Sequence, residues 1–149
     1  MTRIVFDASA ALAFALPDEP CHAQAVAIVK AFAVQKVAFC APALFAYECD
    51  SVIRLRLWKG TLTTAQSQLA RAVIEALAVD IEYDANDRER ALQIAATYDQ
   101  PRAYDAAYAA HAESRGLELV TTDKPFWEAV NGPKKPQNAP PLTFVKLLA

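Results

Sequence analysis

Short runs of apolar residues alternate with longer stretches of helical periodicity along the chain. Residues 4–6 form an apolar run typical of a buried strand, and an alanine-rich helix is expected over residues 10–16. Asp7 or Ser9 is suited to cap this helix. A second helix is expected from residue 18 to about residue 34.

The rest of the chain continues the alternation of strands and helices. The predicted elements are a buried strand at 37–40, a helix from 42 to 59, a helix capped by Thr63 or Thr64, a half-exposed strand at 79–83, helices at 86–99 and 104–115, a strand at 117–120, a helical turn at 126–130, a proline-rich loop at 131–141 and a last strand at 142–147. Pro42 is expected in the first turn of its helix, and Gly60 and Gly116 are expected to end helices. This order predicts an α/β fold, a three-layer α/β/α sandwich with a mostly parallel sheet, in a single domain over residues 1–149.

Composition narrows the class of protein. The 149 residues are 54% hydrophobic and 21% charged, which is typical of one globular domain. A net charge of -2 argues against a chain-wide cationic nucleic-acid binder. Three cysteines without a CxxC pair, two distant histidines and three glycines exclude a zinc knuckle, an HExxH protease and a Walker A loop. No apolar run is long enough for a membrane span and the start does not resemble a signal peptide, so we expect a cytoplasmic protein.

Four acidic residues occupy positions where function is expected. Asp7 and Asp123 each follow a predicted strand, and ligands of open α/β sheets bind beyond the carboxyl ends of the strands. Asp105 lies at the start of a predicted helix. Glu48 lies within the long helix, where its neighbours at helical spacing are mostly apolar, so its carboxylate loses hydration unless it is paired.

Each acid also has an ordinary structural explanation. Asp7 can be a helix cap, Asp105 can stabilise a helix dipole, and Asp123 can be a turn or cap residue. Glu48 can be a partly exposed glutamate. Taken together, carboxylates that converge without cationic neighbours in sequence favour a hard divalent cation, Mg²⁺ or Mn²⁺, and such a site suits phosphodiester hydrolysis.

The sequence resembles the PIN-domain ribonucleases, and most of all the VapC-type toxins of bacterial toxin–antitoxin pairs. The order and spacing of the matching segments follow the family along nearly the whole chain, although no single segment is specific by itself. These segments are Val5-Phe6-Asp7-Ala8-Ser9-Ala10, Glu48, Tyr104-Asp105-Ala106-Ala107-Tyr108-Ala109-Ala110 with Ala112-Glu113, and Leu119-Val120-Thr121-Thr122-Asp123.

The resemblance implies a metal-dependent endoribonuclease that leaves a 3′-hydroxyl and a 5′-phosphate. It implies that Mg²⁺ or Mn²⁺ is held by the catalytic acids Asp7, Glu48, Asp105 and Asp123. Ser9 and Thr121 match small hydroxyl residues of the family, and we expect supporting hydrogen bonds or water contacts from them. The family typically forms homodimers, and a cognate antitoxin protein covers the cleft.

The chain departs from the family in places. Ser51 stands where the family often has asparagine, and the loop at 131–141 looks extended. Basic and aromatic residues near the acids are candidates for contacts with RNA phosphates or bases. These candidates are Arg102, Lys124, Trp127, Lys134 and Lys135.

Two other functions remain open at this point. Phosphotransfer through an aspartyl nucleophile is weakened because Ser9 stands where a second acid would be needed. The alternative to a nuclease is a non-catalytic PIN-like interaction module whose acidic pocket binds a basic side chain of a partner. The sequence indicates neither the RNA target and cleavage site nor the number of metal ions, the antitoxin or the dimer surface.

Overall fold

A computed structural model describes residues 1–149, and its centre is a five-stranded sheet. The strands are β1 (Arg3–Phe6), β2 (Ala38–Pro42), β3 (Asp80–Glu82), β4 (Leu119–Thr121) and β5 (Val145–Leu147). Their order across the sheet is β3-β2-β1-β4-β5, and every neighbouring pair is parallel. The predicted α/β class is confirmed, and the sheet is wholly parallel where a mostly parallel one was expected.

Seven helices complete the molecule. They are α1 (Ala8–Ala15), α2 (His22–Gln35), α3 (Leu44–Trp58), α4 (Thr64–Ala76), α5 (Ala85–Thr97), α6 (Tyr104–Arg115) and α7 (Lys124–Val130). Helix α1 contacts α2, α3 and α4, whereas α6 packs against α5 and the central strands β1, β2 and β4. The arrangement is consistent with a three-layer sandwich. No helix is both long enough and apolar enough to span a membrane.

Local sequence signals explain several helix ends. Asp7 is the N-cap of α1, and Thr63 caps α4 in a capping box with Gln66. Gly116 ends α6 in the left-handed conformation, with φ of 63°, which glycine adopts without strain. Helix α6 spans residues 104–115, as the sequence predicts.

Other boundaries differ from the prediction. Pro42 does not begin a helix but ends β2, where it is in register with Glu82 of β3. The last residue of a short strand tolerates the missing N–H of proline. Helix α2 begins at His22 rather than residue 18, because residues 17–21 form turns instead. The last strand begins at Val145 rather than residue 142.

The core lies between the sheet and its helices. Strand β1 is almost entirely buried, and α6 presents four buried alanines that allow it to approach the sheet closely. Since α6 begins with Tyr104 and Asp105, this close packing fixes the first turn of the helix relative to the sheet.

Candidate active site: an acidic cavity at the switch point of the sheet

The sheet has a switch point between β1 and β4, where the chain stops adding strands on one side of β1 and continues on the other. The chain builds β2 and β3 on one side of β1 and then places β4 and β5 on the other side. Phe6 of β1 is in register with Val120 of β4, so Asp7 and Asp123 follow neighbouring parallel strands at the same edge. This switch point is the usual ligand-binding crevice of a parallel sheet.

All four predicted acids line one open cavity of about 590 Å³ at this edge. Asp7 follows β1 and Asp123 follows β4, whereas Glu48 comes from α3 and Asp105 from the first turn of α6. Polar and aromatic residues complete the wall. They include Ser9, Ser51, Tyr47, Arg102, Tyr104 and Tyr108.

The carboxylate of Asp7 is only 5% exposed. Its Oδ1 atom accepts hydrogen bonds from the Ala10 backbone N–H at 2.9 Å and from the Ser9 hydroxyl at 2.6 Å. Burial raises the pKa of Asp7 to about 6, although these hydrogen bonds act in the opposite direction. The structural explanation as a helix cap is therefore correct, and the residue lines the cavity as well.

Two hydroxyls connect the ends of β1 and β4. The Ser9 hydroxyl accepts from the Thr122 backbone N–H, and the Thr121 hydroxyl accepts from the Asp123 backbone N–H, both at 3.0 Å. The two hydroxyl oxygens lie 3.3 Å apart. This network fixes the turn that carries Asp123 relative to Asp7.

Asp123 is the N-cap of α7. Its Oδ1 atom accepts from the Phe126 backbone N–H at 2.9 Å. Like Asp7, Asp123 therefore both caps a helix and lines the acidic cavity.

Glu48 is held by a residue whose contact the sequence analysis missed. The Tyr108 hydroxyl donates a hydrogen bond to Glu48 Oε1 at 2.6 Å. Burial raises the pKa of Glu48 even though this hydrogen bond lowers it. Tyr108 follows Asp105 by three residues on α6, and this spacing was the available signal that it shares a helix face with that acid.

Asp105 has the most strongly perturbed carboxylate of the four. Burial, followed by the charges of Asp123, Asp7 and Glu48 in that order, raises its pKa to about 7. The four carboxylates are therefore close enough to repel one another.

No ion pair within the chain compensates this charge. None of the four acids forms an ion pair, and Arg102 is the one basic residue that lines the cavity. The hydrogen bonds to Glu48 and Asp123 each reach a single oxygen of the carboxylate, so the second oxygen stays available.

Elsewhere, the chain neutralises its less exposed acids. Arg115 donates to Glu82 at 2.8 Å and to Asp87 at 2.7 Å, and Arg3 also pairs with Glu82. The contrast indicates that the acidic cavity is adapted to a cationic ligand from outside the chain.

A second group of ligand-type side chains lies between β2, β3 and α6. Ligand atoms of Cys40, Glu82 and His111 are within 4.8 Å of one another, a spacing that can hold a metal ion. These mixed donors suit zinc rather than magnesium. Arg3 and Arg115 already neutralise Glu82, and none of the three residues lines the acidic cavity. The donor set that fits Mg²⁺ or Mn²⁺ is the group of four carboxylates.

Only one of the five candidate RNA contacts, Arg102, lines the acidic cavity. Lys124 and Lys134 lie 3.8 and 3.4 Å from the carboxylate of the same glutamate. Lys135 donates to backbone carbonyls of its own loop, and Trp127 packs against the core. These four residues therefore lie outside the lining of the acidic cavity.

The fold and the acidic cavity together define a parallel α/β protein with a candidate metal site at the switch point of its sheet. A family model described as PIN domain matches residues 4–131, and the chain belongs to this family, which is generally a nuclease fold and usually metal-dependent. The chain is also similar to the crystal structure of PAE2754 from Pyrobaculum aerophilum, with 27% identity, a TM-score of 0.63 and coverage of 88% of each chain. Comparison with curated proteins gives no match.

Proposed function

We propose that this chain is a Mg²⁺- or Mn²⁺-dependent endoribonuclease and the toxin component of a type II toxin–antitoxin system. The observation that carries the proposal is the uncompensated charge of the acidic cavity. Four carboxylates from four separate segments line one opening without an ion pair, and burial together with their mutual repulsion raises the pKa of Asp105. A divalent cation removes this repulsion.

The residues that would hold the ion are Asp7, Glu48 and Asp105, directly or through water, with Asp123 completing the site or holding a second ion. When bound, the ion activates the attacking water and neutralises charge on the phosphate. The available oxygens of Glu48 and Asp123 suit this role, because capping or tyrosine contacts fix each carboxylate through its other oxygen.

The remaining polar residues act on the acids and on the substrate. Ser9 and Thr121 hold Asp7 and the turn before Asp123 in one geometry. Tyr108 orients Glu48. The proton of the attacking water leaves to bulk solvent or to one carboxylate.

Partners follow from the same charge distribution. The open acidic cavity suits a basic side chain from a cognate antitoxin, which would block RNA and the metal ion together. We further propose a homodimer, as the resemblance to the VapC-type toxins implies, and a cytoplasmic location, as the sequence analysis expects.

Cleavage of a labelled structured RNA tests the activity. We expect discrete cuts in Mg²⁺ or Mn²⁺, no cuts in EDTA and no cutting of single-stranded DNA. Asp7→Asn and Asp105→Asn should each remove most activity without unfolding the protein. Asp50→Asn is the matched control, because Asp50 is an exposed carboxylate on α3 that pairs with Arg71. Wild-type cleavage rates in Asp105→Asn would contradict the assignment.

The non-catalytic interaction module has a different expected result. In that case the cavity would bind an arginine-containing peptide, and Mn²⁺ would compete with the peptide without any RNA cleavage. The same protein preparation distinguishes the two functions.

A further inference from the structure

Two exposed tyrosines lie on the wall of the acidic cavity. Tyr47 precedes Glu48 on α3, and Tyr104 precedes Asp105 on α6, and both line the cavity. Tyr47 is 80% exposed and Tyr104 is 59% exposed. Aromatic side chains contribute most when their large apolar faces are covered, so two uncovered rings beside a cavity indicate a contact surface.

Arg102 adds a positive charge to the same opening. It is exposed, it lines the cavity, and it takes part in none of the ion pairs of the chain. A guanidinium in this position can contact a phosphate without selecting a base. The cavity thus combines acids with two aromatic faces and one free cation.

Nucleic acid with unpaired bases has the matching chemistry. Its bases offer flat faces to aromatic rings, and its backbone offers phosphates to arginine and to a divalent cation. A continuous duplex keeps its bases stacked inside the helix, where the two tyrosines would not reach their faces. Tyrosine is also enriched at protein–protein interfaces, but nucleic acid additionally supplies the phosphates that Arg102 and a divalent cation can bind.

Resting on the ribonuclease function proposed above, we propose that Tyr47 and Tyr104 stack on unpaired bases that flank the cleaved phosphodiester bond. Arg102 contacts a neighbouring phosphate. The three residues form a subsite for the nucleotides on either side of the cut, and the identity of these bases determines how strongly they stack.

Binding of a fluorescent single-stranded RNA, followed by anisotropy with Ca²⁺ in place of Mg²⁺, tests this subsite. Tyr47→Ala and Tyr104→Ala should each weaken binding by about 5- to 100-fold, the range expected for loss of one stacked base. Tyr47→Phe and Tyr104→Phe should bind nearly as the wild type does, because the ring is kept. Trp58→Ala is the matched control, because Trp58 is a 72% exposed aromatic on α3 that does not line the cavity.

An RNA backbone of the same length without bases separates stacking from packing. The wild type should bind this abasic strand more weakly than the intact strand, and the two alanine variants should bind it as the wild type does. If Tyr47→Ala weakens binding of both strands equally, the ring acts through the fold and the stacking subsite is wrong.

Cleavage by the wild type distinguishes failure of this inference from failure of the ribonuclease function. A wild type that cuts RNA, together with alanine variants that bind single strands normally, overturns the subsite alone. A wild type that neither cuts nor binds RNA in any metal ion overturns both.

Discussion

At the scale of single residues, the carboxylate of Asp7 serves both a helix and the cavity. Its Oδ1 atom accepts the capping hydrogen bond of α1 and a hydrogen bond from the Ser9 hydroxyl, and the residue lines the acidic cavity. Asp123 repeats this arrangement on α7 and Glu48 repeats it with Tyr108. A carboxylate fixed in this way is preorganised for a ligand. Its burial lowers the stability of the fold, because the charged group loses hydration.

Removal of one charge should stabilise the metal-free protein. The pKa of Asp105 is about 7 in the folded chain against an ordinary value of 3.8, so between these pH values the folded chain keeps a proton that the unfolded chain has released. The free energy of unfolding therefore falls as the pH rises through this window. We expect Asp105→Asn to be more stable than the wild type by about 1–2 kcal/mol at pH 8, with no such gain at pH 4.

Urea unfolding in EDTA at pH 4, 6 and 8 measures this difference. A difference that does not change with pH, or a wild type that is the more stable protein at pH 8, would contradict the account of a buried and repelled carboxylate at Asp105.

The hydroxyl of Tyr108 should affect metal affinity through Glu48. Tyr108→Phe removes the hydrogen bond to Glu48 Oε1 but keeps the ring. We expect about 10-fold weaker Mn²⁺ binding, with RNA cleavage restored by excess Mn²⁺. Tyr83→Phe, at an exposed position, is the control. If cleavage is reduced and excess Mn²⁺ does not restore it, Tyr108 does not act through the metal site.

At the scale of elements, a partly buried ion network joins strands and helices away from the cavity. Arg115 on α6 contacts Glu82 on β3 and Asp87 on α5, and Arg3 on β1 pairs with Glu82. Burial lowers the pKa of the neighbouring His111 to about 4, so its ring is neutral at pH 7. The two arginines of this network balance the charges of its two carboxylates, whereas no ion pair balances those of the acidic cavity.

Loss of Arg115 should therefore destabilise the fold. Arg115→Met leaves two partly buried carboxylates with less compensation, and we expect the free energy of unfolding to fall by about 2–4 kcal/mol. Arg71→Ala breaks an exposed pair with Asp50 and should change it by less than about 1 kcal/mol. Chemical unfolding of both variants at pH 7 tests this contrast, and equal effects would count against it.

Local signals made some elements predictable and left others open. Gly116 fixed the end of α6, and the apolar run at 4–6 indicated β1. Proline favours the first turn of a helix, which is why the sequence predicts Pro42 there. Proline is equally compatible with the end of a strand, where the structure places it. The pairing of Pro42 with Glu82 across β2 and β3 decides between these positions. This pairing joins residues far apart in sequence, so a local pattern does not reveal it.

At the scale of the whole molecule, the strand order creates the cavity. Acids that are far apart in sequence meet because β1 and β4 are neighbours at the switch point. The sequence analysis anticipated this meeting from the positions after strands. It did not anticipate the two exposed tyrosines or the Tyr108 contact, since exposure and cross-helix contacts depend on tertiary packing.

A bound divalent cation should stabilise the entire fold, and more so at higher pH. At 100 times its dissociation constant a ligand adds about 2.7 kcal/mol to the free energy of unfolding. Protons compete for the acids, because the pKa is about 6 for Asp7 and about 7 for Asp105. We expect Mn²⁺ to raise the melting temperature clearly at pH 8 and little at pH 5. Equal shifts at both pH values would contradict competition at these acids.

The central claim is that the four uncompensated carboxylates form the divalent-cation site, and Mn²⁺ binding followed by electron paramagnetic resonance tests it most directly. The account predicts that the wild type binds Mn²⁺ at pH 8, that Asp105→Asn loses most of this binding, and that Asp50→Asn and Cys40→Ala keep it. Binding that survives in Asp105→Asn but disappears in Cys40→Ala would assign the ion to the Cys40, Glu82 and His111 group and contradict the account.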